Sequence, residues 1–92
     1  MRVANELRRR LEAALGPERI GIEDQSARHA GHTGARPEGE THFRVVVVSD
    51  AFAARSRVER QRLVYAAAGD LLRTDIHALS VVALAPGEPE PA

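Results

Sequence analysis

The amino-acid sequence predicts an α+β domain, a three-stranded mixed sheet with helices packed on one face, in the order α-β-β-α-β. Three observations predict it. Apolar residues recur at helical spacing in two segments, β-branched runs or strict alternation mark three others, and the second helix lies between two strands. A strand-helix-strand connection is almost always a right-handed crossover, so the second and third strands should run parallel, with the first antiparallel beside the second. Ninety-two residues suit one domain, read as residues 1–86, with residues 87–92 as a disordered tail.

In the first helix, Val3, Leu7, Leu11 and Leu15 form one stripe with Ala4 and Ala14 beside it, and Gly16-Pro17 ends it. Glu6, Arg9, Arg10 and Glu12 take the opposite face, so Arg8-Arg9-Arg10 reads as a solvated surface supported by neighbouring acids. Ile20 and Ile22 alternate with Gly21 and Glu23, the period of a short strand that ends near Asp24 or Gln25.

Ser26 to Glu40 holds three glycines, a proline and two histidines without apolar periodicity, and reads as a loop. Loops beyond about 12 to 15 residues in compact domains are usually functional or disordered, which makes this the first place to look for a site. Thr41 to Ser49 is a strand in which Phe43, Val45 and Val47 share a face, and Val46 and Val48 make the other face apolar, as a central strand requires. Ser56-Arg57-Val58-Glu59 fits a capping box, in which the serine hydroxyl takes the amide proton of the third helical residue and the glutamate reaches back. The helix that follows is expected to bury Val58, Tyr65, Ala68 and Leu72, with Val64 and Leu71 adjacent, and to turn Arg57, Arg60 and Asp70 to water. Ile76 to Ala85 is the last strand, stopped by Pro86-Gly87.

Thirteen basic residues, all arginine, balance thirteen acidic ones, and the isoelectric point is about 6.9. No long-range positive field therefore draws the chain to nucleic acid or an anionic membrane, and any such binding must be local. Cysteine is absent. That excludes disulfides, a cysteine nucleophile, a thiolate zinc site and an iron-sulfur cluster held by this chain alone. No apolar run approaches the roughly 20 residues of a membrane span, and a cytoplasmic protein is expected. Ser26, Ser49, Ser56 and Ser80 lack any context that would activate a hydroxyl, so the chain is not expected to be an enzyme.

Four histidines remain as candidate ligands. His77 sits at the start of the last strand. His29 and His32 lie three apart in the loop, where two imidazoles can approach one metal. His42 precedes Phe43 and points to the opposite face, where it reads as a polar partner in the hairpin. Gly31-His32-Thr33-Gly34 matches the GxxG that clamps phosphates in KH domains, but it lies between two strands rather than two helices.

Several separated strings, in order, carry a resemblance over nearly the whole chain. Asp24-Gln25-Ser26, His29-Ala30-Gly31-His32, Gly39-Glu40-Thr41-His42-Phe43, Val47-Val48-Ser49, Phe52, Ser56-Arg57-Val58, Arg60-Gln61-Arg62-Leu63-Val64-Tyr65 and His77-Ala78-Leu79-Ser80 closely resemble the BolA family. Gln61 stands where the family usually has histidine. The resemblance implies a fold similar to a class II KH domain, in agreement with the element order. It also implies pairing with a monothiol glutaredoxin around a shared 2Fe-2S cluster, with sulfur from the glutaredoxin and a glutathione and imidazoles from the BolA-like chain. The family's strand-start histidine maps onto His77, and its loop histidine onto His29 or His32.

Imidazole can replace thiolate on one iron of such a cluster, which suits a chain without sulfur. Only neutral imidazole coordinates, so the shared assembly is expected to weaken below about pH 6. The chain is therefore expected to act as an adaptor in iron-sulfur trafficking or iron regulation. The alternative implied by the resemblance is a DNA-binding transcriptional regulator, for which Arg55, Arg57, Arg60 and Arg62 form the best local basic cluster. Self-association without a partner stays open.

Overall fold

The computed structural model describes residues 1–26 and 39–91. Helix α1, Arg2–Leu15, buries Val3, Leu7, Leu11 and Leu15, as their spacing predicts. It ends at Gly16, whose φ of 51° is left-handed and whose N–H donates to the Glu12 carbonyl. Its first turn is capped from elsewhere in the chain. Glu40 Oε1 accepts from the N–H groups of Val3 and Ala4 at 2.9 and 3.0 Å, which satisfies two otherwise free donors and sets a carboxylate at the positive end of the helix dipole.

Strand β1, Arg19–Asp24, pairs antiparallel with β2, His42–Val48, and places Ile20 opposite Val47 and Asp24 opposite Phe43. Strand β3, Ala78–Leu84, runs parallel to β2, with His42 opposite Ala78 and Val48 opposite Leu84. The sheet order is β1-β2-β3, so β2 is central as its two apolar faces predict. The strands are shorter than expected, because Thr41 and Ser49 leave β2, and Ile76, His77 and Ala85 lie outside β3. On the helix-covered face, Phe43, Val45, Val47 and Leu79 pack with the α1 stripe and with Val64, Ala68, Leu71 and Ile76 in one core.

After β2 the chain makes a 3₁₀ turn, Asp50–Phe52, that periodicity does not reveal. Ser49 builds it: the buried hydroxyl donates to the Leu15 carbonyl at 2.5 Å and accepts from the Ala51 N–H at 3.1 Å. The turn delivers Phe52 fully into the core.

Helix α2, Arg57–Ala68, starts with the expected capping box, Ser56 and Glu59 each bonding the other's backbone N–H. Its buried face matches the expected one at Ala68 but not at Val58 or Tyr65. Val58 is 57% exposed and Tyr65 37%, whereas Val64, Ala68 and, in the next element, Leu71 are buried. The buried positions Val64, Ala68 and Leu71 are spaced i, i+4, i+7, one stripe beside that of Val58, Tyr65 and Leu72; Gly69, at φ 60°, ends α2, and a second short helix, α3, Leu71–Thr74, follows with Leu72 only partly buried. Tyr65 covers the sheet edge instead, donating its hydroxyl to the Leu79 carbonyl at 3.0 Å.

Two arginines expected in water are engaged. Arg10 reaches across to the Ala68 carbonyl at 2.9 Å and to Asp70 at 2.6 Å while also pairing with Glu6 at 2.8 Å, so it latches α1 to the end of α2. Arg60 keeps only 14% of its side chain exposed. Among the described residues no helix is long and apolar enough to cross a membrane.

Candidate functional site

The parallel register of β2 and β3 sets two histidines at the same end of the sheet. Both the His77 and Ala78 N–H groups donate to the Thr41 carbonyl, at 2.7 and 3.2 Å, which pins the entry of β3 against the entry of β2. The His42 and His77 ring centroids are then 5.2 Å apart, with the planes tilted by 49°. The rings differ in surroundings. His77 is exposed, whereas His42 is only 6% exposed and its Nδ1 lies 2.9 Å from the Thr41 hydroxyl.

A buried polar cluster supports this pair. Ser26 Oγ accepts from the Thr41 N–H at 2.8 Å and the His42 N–H at 3.2 Å, and the Gln25 N–H donates to the His42 carbonyl at 2.7 Å. Asp24 joins the two ends of the intervening segment, one oxygen accepting from the Ser26 N–H at 2.9 Å and the other from the Glu40 N–H at 3.0 Å. Burial pushes the Asp24 carboxyl up, but hydrogen bonds from Ser26 and Glu40 together with nearby His42 outweigh it and hold the group below its ordinary value. Gly39 completes the closure. Its φ is 78°, and a Cβ there would meet Asp24 Oδ2 at 3.3 Å.

His29 and His32 lie outside the described residues, in a segment flanked by Ser26 and Glu40, which Asp24 ties together next to Thr41 and His42. His42, which the sequence presents as a hairpin partner, is a neighbour of His77. The signal was present in the expectation of parallel second and third strands, since both histidines stand at strand starts and a parallel register aligns starts with starts.

Among the described residues, no group of three or more histidine, cysteine, aspartate or glutamate side chains could hold a metal ion. One exposed imidazole, a buried imidazole behind it and no thiol form a partial donor set.

The arginine cluster occupies the other end of the sheet, roughly 20 Å away along the seven residues of β3. Arg55, Arg57, Arg60 and Gln61 line a groove of 430 Å³ with the last four residues of β3 and Pro91. Arg60 is bound within the chain, donating to the Arg55 and Ala83 carbonyls at 3.0 and 3.2 Å and to both Glu88 oxygens at 2.5 and 3.1 Å. Arg55 donates its Nε–H to the Ala51 carbonyl at 2.9 Å. Arg57 and Arg62 are exposed. The Arg60 guanidinium and the Ala85 N–H hold the Glu88 carboxyl down at about 2, and Glu90 pairs with Arg19.

A family model described as BolA-like protein matches residues 11–88. The chain is 45% identical over 86 residues to SufE-like protein 1, chloroplastic/mitochondrial, from Arabidopsis thaliana, an alignment that covers 89% of this chain and 23% of that protein. The chain thus spans about a quarter of that relative's length. The solved BolA domain of SufE1 from the same plant superposes with a TM-score of 0.82 at 45% identity, covering 92% of this chain and 93% of that one. The DNA-binding transcriptional regulator BolA of Escherichia coli is 33% identical over 81 residues, covering 88% of this chain and 73% of that protein.

Proposed function

This chain belongs to the BolA family, and from that membership we propose that it is a non-enzymatic adaptor that pairs with a monothiol glutaredoxin and shares a 2Fe-2S cluster with it, in iron-sulfur trafficking or iron regulation. The observation that carries the reading is the place of His77: an exposed imidazole, anchored through its backbone at a strand entry, beside the fastened ends of the segment that holds His29 and His32. Imidazole is a competent donor to one iron of such a cluster, and a neutral donor raises the potential relative to a thiolate. Sulfur must then come from the partner and from glutathione, because this chain has none to offer beyond Met1.

Anaerobic co-purification with a monothiol glutaredoxin and glutathione, followed by visible absorption, tests the reading. Wild type should alter the glutaredoxin's cluster spectrum on pairing, and His77→Ala should lose that change. Comparing His29→Ala with His32→Ala identifies the segment's contribution. A spectrum unaffected by all three substitutions would falsify the adaptor reading.

A second reading, DNA binding, is favoured by the name of the Escherichia coli relative and by two exposed arginines, Arg57 at the groove and Arg62 further along α2. Phosphate contact gives an affinity that falls by about 0.9 log units per log unit of salt for each neutralised phosphate, so a salt titration counts the contacts. With Arg60 already paired to Glu88, a slope of about 2 or less is expected from the exposed pair.

A further inference from the structure

We propose that His42 is a positioning residue whose buried ring fixes the orientation of the exposed His77 ring. The inference rests on the reading of His77 as a cluster ligand and adds a residue that the ligand set does not contain.

An exposed imidazole at a strand entry ordinarily samples several rotamers, and ordering it at the moment of coordination weakens binding. Here one side of His77 meets a wall. The 5.2 Å centroid separation and 49° tilt fall within the range in which aromatic rings attract one another beyond simple burial. The wall itself is fixed at three points: His42 is 94% buried by the complement of its 6% exposure, its Nδ1 lies 2.9 Å from the Thr41 hydroxyl, and its N–H donates to Ser26 Oγ. Thr41 also accepts the His77 N–H on its carbonyl, so one residue sets the backbone of the ligand and the side chain of its support.

This is the usual division of labour around a metal ligand, in which partners behind the donor hold its orientation and their loss lowers affinity by about 10- to 100-fold. A histidine serves here where an aliphatic residue would not. It offers a flat face to His77 and a ring nitrogen to Thr41, so the flat face cannot rotate away. Phenylalanine would keep the face and lose the anchor.

The test has two readouts. In the unliganded chain, NMR relaxation of the His77 ring should report a rigid side chain in wild type and a mobile one, with an order parameter below about 0.6, in His42→Ala. In the glutaredoxin complex, the same substitution should lower cluster retention by about 10-fold, with His42→Phe in between. An unchanged His77 order parameter in a folded His42→Ala chain overturns the proposal. Should that variant fail to fold, Thr41→Val keeps the ring and removes its hydroxyl partner; loosening of His77 then supports the proposal, and unaltered dynamics overturn it. Cluster retention in His77→Ala would overturn the ligand reading instead, while the relaxation comparison still decides the contact between the rings.

Discussion

At the end of the sheet where β2 and β3 begin, Asp24, Ser26, Thr41 and His42 are tied by short hydrogen bonds between side chain and backbone, three of the four side chains at 6% exposure or less. At the end where the same strands finish, the chain is held by Arg60 with Glu88 and by Arg19 with Glu90, ion pairs whose acids are 41% and 39% exposed. Both ends look equally well connected when contacts are merely drawn. They differ in what losing a contact costs. A buried donor left without its acceptor forfeits the full desolvation of that group, whereas a solvated pair exchanges its partner for water.

The sharpest way to break this contrast is Ser26→Ala, which removes the acceptor for the Thr41 and His42 N–H groups. A loss of about 1 to 3 kcal/mol is expected for each buried donor so orphaned. With a slope of about 1 to 3 kcal/mol per molar urea, the unfolding midpoint should fall by about 1 M or more. Gly39→Ala should cost about 1 to 2 kcal/mol, since a left-handed residue gains a Cβ facing Asp24 Oδ2 at 3.3 Å. Reading that midpoint beside a Gly16→Ala control, where nothing lies within 4 Å, separates backbone strain from crowding.

Glu88→Gln should lower the neutral-pH midpoint less than Ser26→Ala, because Glu88 is 41% exposed and the glutamine oxygen can still accept from Arg60 or the Ala85 N–H. Acid exposes the smallest effect. Glu88 is held down at about 2 chiefly by hydrogen bonding from Arg60, and Glu6 at about 2 by Arg9 and Arg10, against an ordinary 4.5. Depressed carboxyls stabilise the fold above their unfolded value and lose that contribution as pH falls through the folded one. Stability should thus stay flat with respect to these groups down to about pH 4.5 and decline shallowly towards pH 2, with less decline in Glu88→Gln and at high salt. A steep loss between pH 7 and 5 in both chains would show that other groups govern the acid response.

Much of this architecture was legible in local pattern. The α1 stripe, the shared face of Phe43, Val45 and Val47, the Ser56–Glu59 box and the parallel crossover each follow from spacing within one segment or from a rule of handedness. What pattern misread depended on residues distant in sequence. Of the expected stripe on α2 and beyond, Ala68 is buried but Val58 and Tyr65 are exposed and Leu72 is partly so, because the core takes the adjacent stripe of Val64 and Leu71. Arg10 looks solvated beside Glu6 until Ala68 and Asp70 arrive from a segment about sixty residues on. His42 looks like a hairpin residue until the sheet sets it against His77. Among the candidate ligands, His77 could be singled out from its string, but its support could not, because support is a property of register.

The bond from Asp24 to both Ser26 and Glu40 reaches past the geometry of one turn. Once the base of a connecting segment is closed, doubling the segment's length adds only about 0.6 kcal/mol of closure entropy. The sheet is thus closed at Ser26 and Glu40 by described residues alone, and His77 stays where the strands put it. Under the proposed function, such a domain would join a donor whose place follows from strand register to a second donor whose place does not, so that the one could change without disturbing the other.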